Sequence, residues 1–132
     1  MVIGEADNTG IHISVPVVDM AEAIDFYTLL PEIRIVERSD ELSQLYRGVN
    51  RISLKKVDPD STSLQVDARS RVRARHIGFS VASAAEVDRI ESILRIRGYR
   101  VISSVTERPD ARTMFCCDPS GNQVEIYFDH LV

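Results

Sequence analysis

The sequence carries one short pattern twice, first as Ile11-His12-Ile13-Ser14-Val15 and then as Arg75-His76-Ile77-Gly78-Phe79-Ser80-Val81. Both copies alternate apolar and polar residues around a histidine, which predicts a half-buried β-strand. Each strand is followed in the sequence by a helix-capping residue, Asp19 or Ser83. A glutamate comes three positions later, and a run of helix-forming residues that includes apolar ones follows it. The sequence therefore predicts a strand followed by an amphipathic helix, used twice.

Three further strand-like runs follow each predicted helix. They are Ile33–Glu37, Ser43–Tyr46 and Arg51–Val57 in the first copy, and Tyr99–Ser103, Arg112–Cys117 and Gln123–Phe128 in the second. The repeated unit is βαβββ, which predicts an α+β fold made of two such modules with mixed sheets. We expect a single domain over residues 1–132, with module one at about 8–57, a linker at 58–70 and module two at about 71–130.

Composition excludes several classes of protein. The chain has 132 residues, 44% of them hydrophobic and 27% charged, as in ordinary soluble globular proteins. Its formal net charge of −4 argues against a nucleic-acid-binding surface. No segment approaches the ~20 apolar residues that span a bilayer, so neither a membrane partner nor a targeting segment is expected. The cysteines, Cys116 and Cys117, are adjacent, and a bridge between them would be strained, so we expect free thiols and a cytoplasmic location.

Alternation places both histidines on the sheet face opposite the apolar residues that pack under the helices. The last strand places Glu125 and Tyr127 on the same side as the histidines. A carboxylate in such a strand needs a partner, because burying it unpaired costs several kcal/mol. A metal ion shared by His12, His76 and Glu125 would supply one. The alternative is that the histidines are structural and that Glu125 pairs with an arginine such as Arg51 or Arg112.

Two imidazoles and one carboxylate suit a divalent ion such as Fe, Mn, Zn, Ni or Co. Three protein ligands leave coordination positions open for a small-molecule substrate with two neighbouring oxygens. Tyr127, Tyr46 and Arg112 are candidates for assisting side chains, the tyrosines as acid, base or hydrogen-bond donor and the arginine for a substrate carboxylate. Each of the three is equally well explained by a structural role.

Three segments carry a resemblance to a known family. They are the strand and helix from His12 to Tyr27, the strand from Arg75 to Val81, and Asp118-Pro119-Ser120-Gly121-Asn122-Gln123-Val124-Glu125-Ile126-Tyr127. With these segments the chain resembles the vicinal oxygen chelate superfamily, which includes glyoxalase I, extradiol dioxygenases, fosfomycin-modifying enzymes and bleomycin-binding proteins. The resemblance implies that each module curves its sheet into half of an open barrel around a metal. It also implies a homodimer, in which His12 can meet His76 and Glu125 of a second copy.

One position departs from the glyoxalase I pattern. Ser53 aligns with Glu125, where glyoxalase I and its near relatives tend to have a fourth ligand, and serine is a poor metal ligand. We therefore expect a three-ligand metal enzyme of lyase, isomerase or transferase type. An Fe(II) extradiol-type dioxygenase is an alternative, although the strand on which that activity leads one to look for a tyrosine carries Thr113-Met114-Phe115 instead. A non-catalytic small-molecule-binding protein is the other alternative.

Overall fold

The computed structural model describes residues 9–59 and 76–132. It confirms the α+β class and both βαβββ modules. The chain divides into two compact units, Met1–Leu64 and Gln65–Val132, and each contains one module. Most of the predicted linker, from residue 60 onward, lies outside the described residues, so its extent remains a prediction.

Module one begins with the predicted strand and helix, followed by a three-stranded meander. Its elements are β1 (His12–Val17), α1 (Met20–Tyr27), β2 (Ile33–Glu37), β3 (Leu42–Arg47) and β4 (Asn50–Lys56). The sheet order is β1-β4-β3-β2. Strand β1 is parallel to β4, whereas β3 pairs antiparallel with both β4 and β2. The first strand of the module therefore lies beside its last.

Module two repeats this topology. Its elements are β5 (His76–Ser80), α2 (Ala84–Ile96), β6 (Val101–Glu107), β7 (Ala111–Cys117) and β8 (Gln123–Asp129). The sheet order is β5-β8-β7-β6, with β5 parallel to β8. Strand β6 begins two residues later than predicted and continues to Glu107, and its pairing with β7 is interrupted by two irregularities.

Both helices begin at the predicted capping residues. The Asp19 carboxylate accepts a hydrogen bond from the backbone N–H of Glu22 at 2.9 Å, and the Ser83 hydroxyl accepts one from Glu86 at 3.2 Å. In α2, the backbone reverses after Arg97 at Gly98, whose φ of 81° lies in the left-handed region that glycine adopts without strain. Each helix thus has a start that its sequence specifies.

The helix-facing side of each sheet forms the core of its module. Val15, Leu54, Phe79 and Ile126 are at most 4% exposed, as the alternation predicted. The start of β1 differs, because Ile13 is 36% exposed although it lies on the apolar side. Ile11, two residues earlier on the same side, is 67% exposed, so the exposed stretch extends from before the strand into its first residues, where no described part of module one covers it. Among the described residues, no helix has the length and apolar character needed to cross a membrane.

Candidate metal centre

A tight turn fixes the start of β8. Asp118 is 3% exposed, and its Oδ1 atom accepts hydrogen bonds from the backbone N–H groups of Ser120 and Asn122, each at 2.9 Å. The Asn122 side-chain amide donates to Oδ2 at 2.9 Å, and Gly121 has a φ of 92°. Because this turn sets the β7–β8 register, it places Glu125 opposite Phe115 on β7, and the parallel pairing places it opposite Gly78 on β5.

His76 and Glu125 meet on the sheet face that lies opposite α2. The His76 Nε2 atom is 3.0 Å from Glu125 Oε1, and the Thr113 hydroxyl donates to Glu125 Oε2 at 2.6 Å. Thr113 is 2% exposed, whereas the side chains of His76 and Glu125 are 34% and 19% exposed. The His76 ring packs edge-on against Phe115, with 5.2 Å between ring centroids. The carboxylate is thus held at one oxygen while the other faces an accessible imidazole.

Gly78 brings Tyr127 close to this pair. A Cβ atom at position 78 would lie 3.1 Å from Cε1 of Tyr127 and 3.5 Å from Oε1 of Glu125. An alanine here would therefore require the tyrosine ring to move by a few tenths of an ångström, whereas its contact with the carboxylate would be an ordinary one. Tyr127 and Glu125 therefore lie on one face of the module-two sheet, both beside Gly78, as their alternation in the sequence predicted.

The donor atoms of His76 and Glu125 fit a divalent metal ion. With metal–ligand bonds of about 2.1 Å, two ligands at right angles lie about 3.0 Å apart. Nε2 of His76 and Oε1 of Glu125 are 3.0 Å apart, a separation that fits two such ligands and equally fits the direct hydrogen bond between them. Within either module, taken over residues 9–59 and 76–132, no group of three or more His, Cys, Asp and Glu side chains suited to a metal occurs. Module two by itself thus offers two such donors, His76 and Glu125.

His12, the predicted third ligand, lies in module one within a chain of hydrogen bonds. Its Nε2 atom is 2.8 Å from the Ser53 hydroxyl, which in turn donates to Gln44 Oε1 at 2.5 Å. Arg51 Nη2 is 3.2 Å from His12 Nδ1. Since a guanidinium can only donate, Nδ1 must accept and Nε2 must carry the proton in a neutral ring. Metal binding through Nε2 therefore requires that Arg51 leave Nδ1 and that the ring proton change nitrogen.

Ser53 occupies the position in module one that Glu125 has in module two. In module one Ser14 pairs with Ser53, and in module two Gly78 pairs with Glu125, each between the first and last strands of its module. This register agrees with the alignment drawn from the sequence. Ser53 therefore has a hydroxyl at the position expected for a fourth ligand, and this hydroxyl is hydrogen-bonded to His12 and Gln44.

Arg112 lies on the helix side of its sheet, away from Glu125. Its guanidinium donates to the two carboxylate oxygens of Asp88 on α2 at 2.7 and 3.2 Å, and to Glu107 at 3.0 Å. The hydrogen bond to Asp88, followed by that to Glu107, raises the pKa of Arg112 above its ordinary value. Glu107 also binds His130. The structure thus joins Arg112 to a helix, and the predicted role toward a substrate carboxylate gains no support within module two.

Tyr46 lies in module one on the same face as His12. It pairs with Arg51 across β3 and β4, and the guanidinium of Arg34 lies over its ring at 5.1 Å from the centroid. The sequence reasoning assigned no functional role to Arg34, Gln44 or Thr113. The role of Thr113 could have been recognised. Thr113 lies two positions before Phe115, which pairs with Glu125, so the threonine hydroxyl and the glutamate share one face of the sheet.

Both cysteines are free and buried. Cys116 pairs with Val124 in the core, and burial, with smaller contributions from Cys117 and Asp118, raises the pKa of its thiol to about 12. Burial also raises the pKa of Cys117, which pairs with Gln123. Because neighbours on a strand point to opposite faces, the two thiols do not form one ligand pair.

The model of the Glyoxalase/Bleomycin resistance protein/Dioxygenase superfamily matches residues 11–126. No curated protein matches the sequence significantly. Among solved structures, a glyoxalase/bleomycin resistance protein/dioxygenase from Alicyclobacillus acidocaldarius is 21% identical with a TM-score of 0.68, covering 94% of this chain and 93% of its own. Lactoylglutathione lyase from Agrobacterium tumefaciens is 21% identical with a TM-score of 0.65, covering 89% and 91%.

A third similar structure is the fosfomycin resistance protein FosX from Listeria monocytogenes, complexed with Mn(II) and sulfate. It is 17% identical with a TM-score of 0.69, and the likeness covers 91% of this chain and 89% of FosX. At such identities the solved structures establish the shared fold alone. The family match extends over most of the sequence, and both βαβββ modules agree with it. The chain therefore belongs to the Glyoxalase/Bleomycin resistance protein/Dioxygenase superfamily.

Proposed function

We propose that the protein is a divalent-metal-dependent enzyme that acts on a small substrate chelated through two adjacent oxygens, by lyase, isomerase or transferase chemistry. The observation that carries the proposal is the pair His76 Nε2 and Glu125 Oε1, 3.0 Å apart, with Thr113 holding the second carboxylate oxygen. The competing interpretation of Glu125 as the partner of Arg112 finds no support, because Arg112 binds Asp88 and Glu107 instead.

The proposed ligands are His76, Glu125 and His12, with His12 contributed by the same chain or by a second copy in a homodimer. Iron, manganese, zinc, nickel and cobalt all suit this donor set. FosX, which shares the fold and was solved with Mn(II), supports including manganese in the test. A divalent ion bound there would supply Lewis-acid stabilisation of negative charge on a chelated substrate oxygen.

The protein's own residues have separate tasks in this proposal. Thr113 orients the Glu125 carboxylate, because its hydroxyl donates to Oε2 and leaves Oε1 toward His76. Tyr127, beside Glu125, offers a phenol that can donate a hydrogen bond or exchange a proton with the substrate. Tyr46 lies on the face that carries His12 and has the same chemistry to offer there. We leave Arg112 out of the site.

The first experiment is elemental analysis of untagged protein purified without a chelator. We expect about one equivalent of a first-row metal per chain, lost in His76→Ala and in Glu125→Ala. Asp88→Ala serves as the matched control, since it removes a carboxylate on the helix side and should keep the metal. Wild-type protein that takes up no metal, even when reconstituted anaerobically with Fe(II), would overturn the proposal and favour a non-catalytic binding protein. Iron as the bound metal would direct assays to oxygen-dependent ring cleavage.

A mixing experiment locates His12. His12→Ala and Glu125→Ala each destroy every site when studied alone. If a site combines His12 of one chain with His76 and Glu125 of another, co-refolded His12→Ala and Glu125→Ala chains regain metal, because a mixed dimer contains one intact ligand set. If all three ligands come from one chain, the mixture stays empty. Retention of full metal content by His12→Ala alone would remove His12 from the ligand set.

A further inference from the structure

The sheet of module one carries a row of cationic and polar side chains on the face opposite α1. Strand pairing places His12 beside Arg51, Arg51 beside Tyr46, and Tyr46 beside Arg34. Residues at paired positions point to the same face, so these four side chains are neighbours across all four strands. The two contacts within the row, Arg51 to His12 and Arg34 over Tyr46, agree with that placement.

Neither arginine in this row is neutralised by a carboxylate among the described residues. Elsewhere in the described structure, Arg112 binds Asp88 and Glu107. Glu37 is an acidic residue close to the row, since it pairs with Gln44, two positions before Tyr46 on β3. In the part of the chain described, Glu37 forms no ion pair with Arg34 or Arg51. An anion bound beside the row would lower the electrostatic cost of placing two positive charges on one face of the sheet.

The contacts within the row also fix the direction of both guanidinium groups. Arg51 uses Nη2 to reach His12 Nδ1, and Arg34 lies over the Tyr46 ring. A guanidinium has five N–H donors in a planar fork, so each arginine keeps donors for a further acceptor. In the metal-free protein these contacts order the side chains, which lowers the entropy cost of binding an anion. The fork also matches the oxygens of a carboxylate or phosphoryl group.

We infer that Arg51 and Arg34, with Tyr46 between them, form a subsite for an oxyanion group of the substrate, either a carboxylate or a phosphoryl group. The assignment of this anion to the substrate rests on the proposed function, because His12 links the row to the proposed metal ligands. The binding of the anion itself requires no metal. The sequence pointed to Arg112 as the residue that binds a substrate carboxylate. Arg112 instead pairs with Asp88 and Glu107 on the helix side of the module-two sheet.

The test is a titration of the full chain, freed of metal on a chelating resin, with inorganic phosphate and separately with acetate. Chloride keeps the ionic strength constant. The side-chain Nε–H signals of the arginines, followed by ¹⁵N NMR, report binding at each guanidinium. Variants are Arg51→Gln, Arg34→Gln and Arg51→Lys, which retains the charge without the fork. Arg97→Gln in module two is the matched control, because it removes one exposed arginine that forms no ion pair in the described structure.

We expect saturable shifts of the Arg51 and Arg34 signals, and roughly tenfold weaker binding in Arg51→Gln and Arg34→Gln. Arg51→Lys should bind with intermediate strength and Arg97→Gln like the wild type. Tighter binding of phosphate than of acetate at a pH where both are monoanions identifies a phosphoryl group, and comparable binding at that pH identifies a carboxylate. Absence of saturable shifts at these two arginines, or equal weakening by Arg97→Gln, overturns the inference. Metal content measured on each protein before the chelating resin tests the proposed function separately, so each can fail alone.

Discussion

Replacement of Thr113 by valine tests whether the Glu125 carboxylate is positioned by its neighbour. The hydroxyl of Thr113 donates to Glu125 Oε2 at 2.6 Å from a side chain that is 2% exposed. A hydrogen bond to a charged acceptor contributes about 1.5–3 kcal/mol. Because the Glu125 side chain is 19% exposed, water can replace part of this bond, and we expect the lower half of that range.

A loss of about 2 kcal/mol lowers the melting temperature by roughly 8 °C in a domain of this size. Loss of a hydrogen-bond partner of a metal ligand typically reduces metal affinity by about 10- to 100-fold. Thr113→Ser is the control, since it keeps the hydroxyl and removes one buried methyl group. Urea unfolding of the metal-free protein and competition against a chromogenic chelator measure the two effects. Equal metal affinity in Thr113→Val and Thr113→Ser would show that the hydroxyl does not position Glu125.

Four further predictions concern other parts of the molecule. Arg51→Met should raise metal affinity by roughly tenfold, because it removes the donor that keeps the proton on His12 Nε2. The same chelator competition measures this, and unchanged or weaker affinity would contradict it. Arg112→Gln should leave metal affinity unchanged and make stability less dependent on salt, as seen in unfolding at two salt concentrations, and loss of metal would restore Arg112 to the site. Asp118→Ala should cost about 2–4 kcal/mol in urea unfolding, because a buried carboxylate that accepts three hydrogen bonds is lost, and Asp118→Asn should cost less. The pKa of Cys116 is raised from 9.0 to about 12, so between these values the folded protein retains a proton that the unfolded chain releases. The free energy of unfolding should therefore be unaffected below pH 9 and fall as the pH rises from about 9 toward 12. In Cys116→Ala it should fall less steeply over that range.

The sequence predicted the helices and the turn before β8 well because local residue patterns specify them. Asp19 and Ser83 cap the two helices as their spacing with the following glutamates indicated. The turn at Asp118 was recognisable from its residue types alone. The start of β6 was misplaced, because its irregular pairing with β7 depends on contacts across the sheet rather than on its own residue pattern.

The candidate site was predictable in part. Alternation placed Glu125 and Tyr127 on the face of His76, and strand pairing brings these residues together. The pattern did not show which arginine was already neutralised, since the partner of Arg112 lies on a helix 24 positions away. The protonated nitrogen of His12 was equally hidden, because it follows from the contacts of Arg51 and Ser53 across β1 and β4. Such details depend on long-range pairing that a local pattern does not encode.

The parallel pairing of β5 with β8 determines when the candidate site can exist during folding. His76 and Glu125 are 49 residues apart in sequence, and they become neighbours only when the closing strand of the module joins its opening strand. A helix or a hairpin of module two can form from local contacts, whereas this pair requires the longest loop closure in the module's sheet. The pair therefore exists only in conformations in which β8 has joined β5, and any opening that separates these two strands disassembles it. A ligand that binds both side chains would select the closed module over every partly open form, so its occupancy would slow unfolding of the module as a whole.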